Sequence, residues 1–170
     1  MLNWWRERWC SENQLRSGIA FRVRHNPTTV RAARELARQL LIQYATQDAT
    51  GIAQASGITI RRDEWIVASG QVIFLAECSW QPPEIILNQA TLRMIAARVR
   101  TAPALISGQA EEWFTENRIA EVVIAHELYH LITQQPSAPS VETAAHAFAE
   151  ELLHLPFSPK LYETLLISEC

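Results

Sequence analysis

The stretch VVIAHELYHLI, residues 122–132, sets His126-Glu127-x-x-His130 inside an apolar helical pattern flanked by Ile124, Leu128 and Leu131. Residues four apart share a helix face, so both imidazoles can reach one ion. Glu127, one position after the first histidine, points beside that ion. There it can take a proton from a water and pass it on to a leaving amine. Zinc would supply the rest, lowering the pKa of a bound water to about 7 and polarising a carbonyl. The bland alternative is a pair of ordinary helix histidines. The pattern predicts a long helix from about Glu111 to Gln134.

A catalytic zinc takes a third protein ligand and keeps a fourth position open. The next helical pattern, about Val141 to Leu155, contains VETAAHAFAEELLHLP, in which Glu142 and His146 share a face. Glu151 faces the other way, and His154 lies about a third of a turn off. The bend PSAPS, 136–140, gives the chain room to fold back between the two helices. Glu142 then has two readings. It can complete the metal site, or it can be a carboxylate favoured electrostatically at a helix N-terminus.

AHELYHL followed by ETAAHAFAEELLHLP resembles the ImmA/IrrE family of zinc metallopeptidases, and PEIILN is similar to the strand that precedes the motif helix there. The resemblance covers about residues 29–156 and is strongest at 125–131 and 142–153. It implies a zincin-like fold in which His126, His130 and Glu142 bind zinc and Glu127 is the catalytic acid/base. His146 occupies the family's Asn/His position, expected near the open side of the zinc to meet a carbonyl oxygen as charge builds. The chain departs from the pattern in carrying Tyr129 where the family has Gly, in a short interval between the helices, and in one extra residue before Pro156. Family members act on regulators, many of them helix-turn-helix repressors that govern phage, mobile-element or stress genes. The resemblance therefore implies a protein substrate of that kind. The competing reading is a non-enzymatic metal-binding regulator, or a toxin–antitoxin component, that grips a partner protein.

Upstream the period changes. ITIRRDEWIV, QVIFLAEC and PEIILN are short and rich in β-branched residues, and Ser69-Gly70 and Pro82-Pro83 separate them. They predict an antiparallel meander of three strands, with the hydrophobic second strand well paired. Its VIFLAEC segment is the first candidate for a free edge that takes an extended peptide. Before it, a helix from Pro27 has Val30, Ala33, Ala37, Leu40, Leu41 and Tyr44 on one face and Arg31, Arg34 and Arg38 on the other. A short helix from about Thr50 to Ala55 ends at Gly57. After the strands come helices at about Thr91 to Arg100, the motif pair, and one following Ser158. Helices, a small sheet, then helices make the chain α+β.

With 170 residues the chain is about one domain's worth, read as a Trp/Arg-rich arm over 1–26 and a metallopeptidase-like domain over 27–170. Trp4, Trp5 and Trp9 in the arm either meet a partner or surface, or pack onto their own domain. Composition is 48 % hydrophobic and 19 % charged, which excludes a disordered or low-complexity chain. Residues 1–100 carry thirteen arginines against eight acidic residues. Residues 101–170 carry only Arg118 and Lys160 against ten. No glycine-rich phosphate loop and no DNA-reading helix-turn-helix signature is present, so direct nucleic-acid binding is not expected. Three widely spaced cysteines, Cys10, Cys78 and Cys170, suit a reducing cytoplasm, and no apolar run is long enough to span a membrane.

Overall fold

The computed structural model describes residues 27–64, 74–106, 108–135 and 138–167; the Trp/Arg-rich arm lies outside them. In chain order the elements are α1 (Pro27–Tyr44), α2 (Ala49–Ala55), β1 (Thr59–Asp63), β2 (Ala76–Trp80), β3 (Pro83–Asn88), α3 (Gln89–Thr101), α4 (Glu116–Thr133), α5 (Pro139–Leu153) and α6 (Lys160–Ile167). Six α-helices and one small sheet make the described residues α+β, as expected. No helix among them is long and apolar enough to cross a membrane.

The sheet is mixed, not an antiparallel meander. Its order is β1-β3-β2, with β3 parallel to β1 (Ile60 beside Ile85) and antiparallel to β2 (Cys78 beside Ile85). The centre goes to β3, whose Ile85 and Leu87 are fully buried, while Arg61 and Arg62 of β1 and Glu77 of β2 are exposed. A central strand loses water on both flanks, so the strand richest in buried apolar residues takes that position. The second strand begins only at Ala76, and the apolar residues Phe74 and Leu75 lead into it. Residues 71–73 of the predicted strand lie outside the described residues, and among the described ones β2 is an edge strand paired on one flank. Asn88 ties the sheet to α3. Fully buried, it donates from Nδ2 to the Phe74 carbonyl at 2.9 Å and caps α3 by accepting the Thr91 N–H.

The long helix predicted over 111–134 is in two pieces. Glu111–Phe114 forms a 3-10 turn, and Thr115 stands extended before α4 with its Oγ1 accepting the Arg118 N–H. A threonine hydroxyl at an N-cap satisfies a helix donor that would otherwise have none. The break directs Phe114 into an aromatic cluster with Phe157 and Tyr162, at ring separations of 5.4 and 5.6 Å. Tyr162, itself buried, donates its hydroxyl to the Trp113 carbonyl at 2.8 Å and so fixes α6 against this turn.

From there α4 runs through the middle of the molecule, meeting α2, α3, α5, β2 and β3. Ile119, Val122, Val123, Ile124, Leu128 and Leu131 are all buried. Each such side chain contributes about 1.5–3 kcal/mol by leaving water. Burial all round the helix explains why it shows no single apolar stripe. On its far side α5 packs along α1, where Ala33 and Ala37 face a helix rich in buried alanines, and small side chains let helix axes approach closely. The arginine face of α1 is not a free basic surface. Arg34 pairs with Glu150 at 3.0 Å and Arg38 with Glu151 at 2.8 Å.

Candidate metal centre

Helical spacing brings the two motif histidines side by side, their Nε2 atoms 3.2 Å apart. His130 is the more deeply set and is held from both ends. Trp80 of β2 donates its indole N–H to the His130 backbone carbonyl at 3.5 Å. His130 Nδ1 lies 3.3 Å from the Gln135 carbonyl. A carbonyl can only accept, so Nδ1 carries the proton and Nε2 keeps its lone pair for the site. That carbonyl arrives because Gln134 ends α4 in the left-handed region, at φ 51°, turning the chain back over its own last turn.

Glu142 comes from the first turn of α5. Its Oε2 is 3.0 Å from His126 Nε2 and its Oε1 is 3.6 Å from His130 Nε2. The three side chains form a group whose ligand atoms all lie within 4.8 Å of one another. Zinc–nitrogen bonds of about 2.0–2.1 Å in a tetrahedron put neighbouring donors about 3.3–3.4 Å apart. The 3.2 Å between the histidine nitrogens and the 3.0 Å from His126 to Glu142 Oε2 are near that spacing, while the 3.6 Å contact to His130 is made by the other carboxylate oxygen, so the three side chains together can hold such an ion. Two imidazoles and one carboxylate leave a tetrahedral ion one open position, the arrangement of catalytic and not of closed structural sites. Glu142 thus sits in the first turn of α5 and against both histidines at once, a position that suits either sequence reading of it.

The electrostatics agree with a site kept ready for a cation. Burial pushes the Glu142 carboxyl upward, but the hydrogen bond to His126 and the closeness of the His130 ring outweigh it and hold the group well below the usual carboxylate range. Burial likewise works against a charged His126. The Glu142 hydrogen bond and the fields of Glu127, Glu142 and Glu163 overcome it, and the ring sits above its ordinary value.

Glu127 stands outside the ligand group, as its position one residue past His126 requires. It faces β2, where the half-buried Cys78 thiol lies within its field. Burial, and then the Glu127 charge, push that thiol well above its ordinary value. Glu77 on the same strand is raised for the same two reasons. His146 lies beside the ligand group and also meets α6. Its Nε2 is 3.1 Å from Glu163 Oε1 on α6, while its ring lies 4.8 Å, centroid to centroid, from that of His126. Glu150 and Glu151 are spent on α1, and His154 is an exposed left-handed cap at the end of α5.

Tyr129 packs into the core. Its ring is buried, 5.5 Å from Phe148 and 6.1 Å from His130. Sequence reasoning missed two neighbours of the site, Cys78 and Glu163. Nothing in KLYETLLI marks Glu163, because its partner is seventeen residues away on another helix. Comparison of the chain with family models, curated proteins and solved structures returns no match.

Proposed function

We propose that the chain is a zinc-dependent endopeptidase acting on a protein substrate, in the manner its resemblance to the ImmA/IrrE metallopeptidases implies. The observation that supports this most is the convergence of His126, His130 and Glu142, whose ligand atoms all lie within 4.8 Å of one another, with Glu127 adjacent yet outside the ligand group. When bound, zinc supplies Lewis acidity toward the scissile carbonyl and makes a water nucleophilic near pH 7. The chain's own residues do the rest. His126, His130 and Glu142 hold the ion, and the Glu127 carboxylate accepts a proton from the attacking water and delivers it to the leaving nitrogen. β2 borders the site, and among the described residues it pairs with β3 on one flank only, so an extended peptide can add along its other flank. A separate helix-turn-helix repressor, in a reducing cytoplasm, is the substrate class the resemblance favours.

Glu127→Gln tests the reading, because an amide keeps the shape but cannot take the water's proton. Zinc-loaded parent and variant would be incubated with a peptide library and with any repressor encoded beside the gene. New termini would be read by mass spectrometry. Cleavage by the parent alone, with equal zinc content in both proteins, supports a peptidase. Equal effects of parent and variant on the partner, with no new termini, support the metal-binding regulator instead.

A further inference from the structure

The C-terminal helix reaches the metal centre. His126 offers Nε2 to the ligand group, and its Nδ1 has no hydrogen-bond partner among the described residues. A histidine that gives one nitrogen to a metal almost always donates its other N–H to a fixed acceptor, which sets the tautomer and the ring plane. For His130 that acceptor is the Gln135 carbonyl. Against His126 the structure sets the ring of His146, 4.8 Å away between centroids at an interplanar angle of 51°, with no hydrogen bond between the two rings among the described residues.

His146 is itself held in place. Glu163 Oε1 sits 3.1 Å from its Nε2, and a carboxylate can only accept, so Nε2 carries a proton, and in the neutral ring Nδ1 is then the lone pair. We propose that Glu163 and His146 form the outer support of His126, with His146 Nδ1 accepting from His126 Nδ1–H when a cation holds Nε2. Glu163 is then a positioning residue, and His146 is committed to the metal ligand and not to the substrate. The register of α6 suits this role, since the neighbouring Tyr162 is fixed by its hydroxyl bond to Trp113 and sets Glu163 at the His146 ring. This inference rests on the metal site proposed above.

The test measures zinc affinity by competition with a chromophoric chelator, and the visible absorption of the cobalt-loaded protein, in Glu163→Ala, Glu163→Gln, His146→Ala and the Glu163→Ala/His146→Ala double variant. Loss of an outer partner weakens metal binding about 10–100-fold. The single alanine variants should each lose affinity in that range and shift the cobalt bands. The double variant should lose no more than the worse single one, because the two residues act as one unit. Glu163→Gln, which can still accept from Nε2–H, should recover part of the loss. Melting in excess chelator separates this from a loosened α6: the metal-free variants should melt with the metal-free parent. Unchanged affinity and spectrum in Glu163→Ala, while Glu142→Ala loses zinc, overturns the inference and leaves the metal site standing. Additive losses, or a matching fall in metal-free stability, also overturn it. A parent chain that binds neither metal removes the site and the inference together.

Discussion

His126 Nε2 and Glu142 Oε2 lie 3.0 Å apart across sixteen residues of chain, two helices and the turn between them. The contact converts a local histidine pair into a three-donor site, so its removal has a definite consequence. Glu142→Ala should lower zinc affinity by orders of magnitude, since two imidazoles remain where three protein ligands are usual. In the parent, zinc at about a thousandfold over its Kd should stabilise the fold by about 4 kcal/mol. That gain should vanish in the variant. Melting curves with zinc and with chelator measure both effects. A variant that is merely a few tenths of a kcal/mol less stable and still binds zinc would return Glu142 to a helix-terminus role.

Tyr129 predicts a stability effect separate from the site. Its ring is packed against Phe148 with 4 % of its surface exposed, so Tyr129→Ala should leave a cavity and cost about 3–5 kcal/mol. Tyr129→Phe keeps the ring and should melt close to the parent. Denaturant unfolding of the two variants decides the point, and a loss below about 1 kcal/mol for the alanine variant would place the ring outside the core.

Glu121 joins the motif helix to α2. Its carboxylate accepts the Thr50 N–H at 3.2 Å and the Thr50 hydroxyl at 3.0 Å, filling the cap that the Asp48 side chain leaves unmade. Burial pushes this carboxyl above its ordinary value; the Thr50 bonds pull it back, and nearby Asp48 adds to the rise. A carboxyl raised in the folded state favours folding below its unfolded pKa of about 4.3, and that contribution fades as pH climbs through the folded value. Glu121→Gln should therefore gain on the parent in melting temperature between about pH 4 and pH 8, because a neutral amide keeps an acceptor without the charge. A margin that moves toward the parent with rising pH would show that the ionised cap outweighs its burial.

Cys78 should resist modification. Burial first, and then the charges of Glu127, Glu142 and Glu77, hold its thiol well above the ordinary value, and only the thiolate is nucleophilic. Alkylation with iodoacetamide at neutral pH, followed by mass spectrometry of the Cys78 peptide, should be slow in the folded protein and rapid in denaturant. Rapid labelling of the folded chain would mean that β2 opens readily beside the site.

The sequence by itself determined whatever depends on near neighbours along the chain. The four-residue step of a helix is enough to pair His126 with His130, to place Glu127 beside them, and to put Ala33, Ala37 and Leu40 on the buried face of α1. The helical and extended segments were legible for the same reason. Pairing between segments was not. Three successive strands suggest a meander, yet the strand order was settled by burial: Ile85 and Leu87 needed the centre, and Arg61, Arg62 and Glu77 could bear an edge. The motif helix was shortened by the Thr115 cap, which sends Phe114 toward Phe157 and Tyr162, residues more than forty positions later. Only the tertiary structure could bring Glu142 to the two histidines, set Cys78 against Glu127, and bring Glu163 to His146. Those contacts depend on how whole helices and strands pack, and no local spacing encodes that.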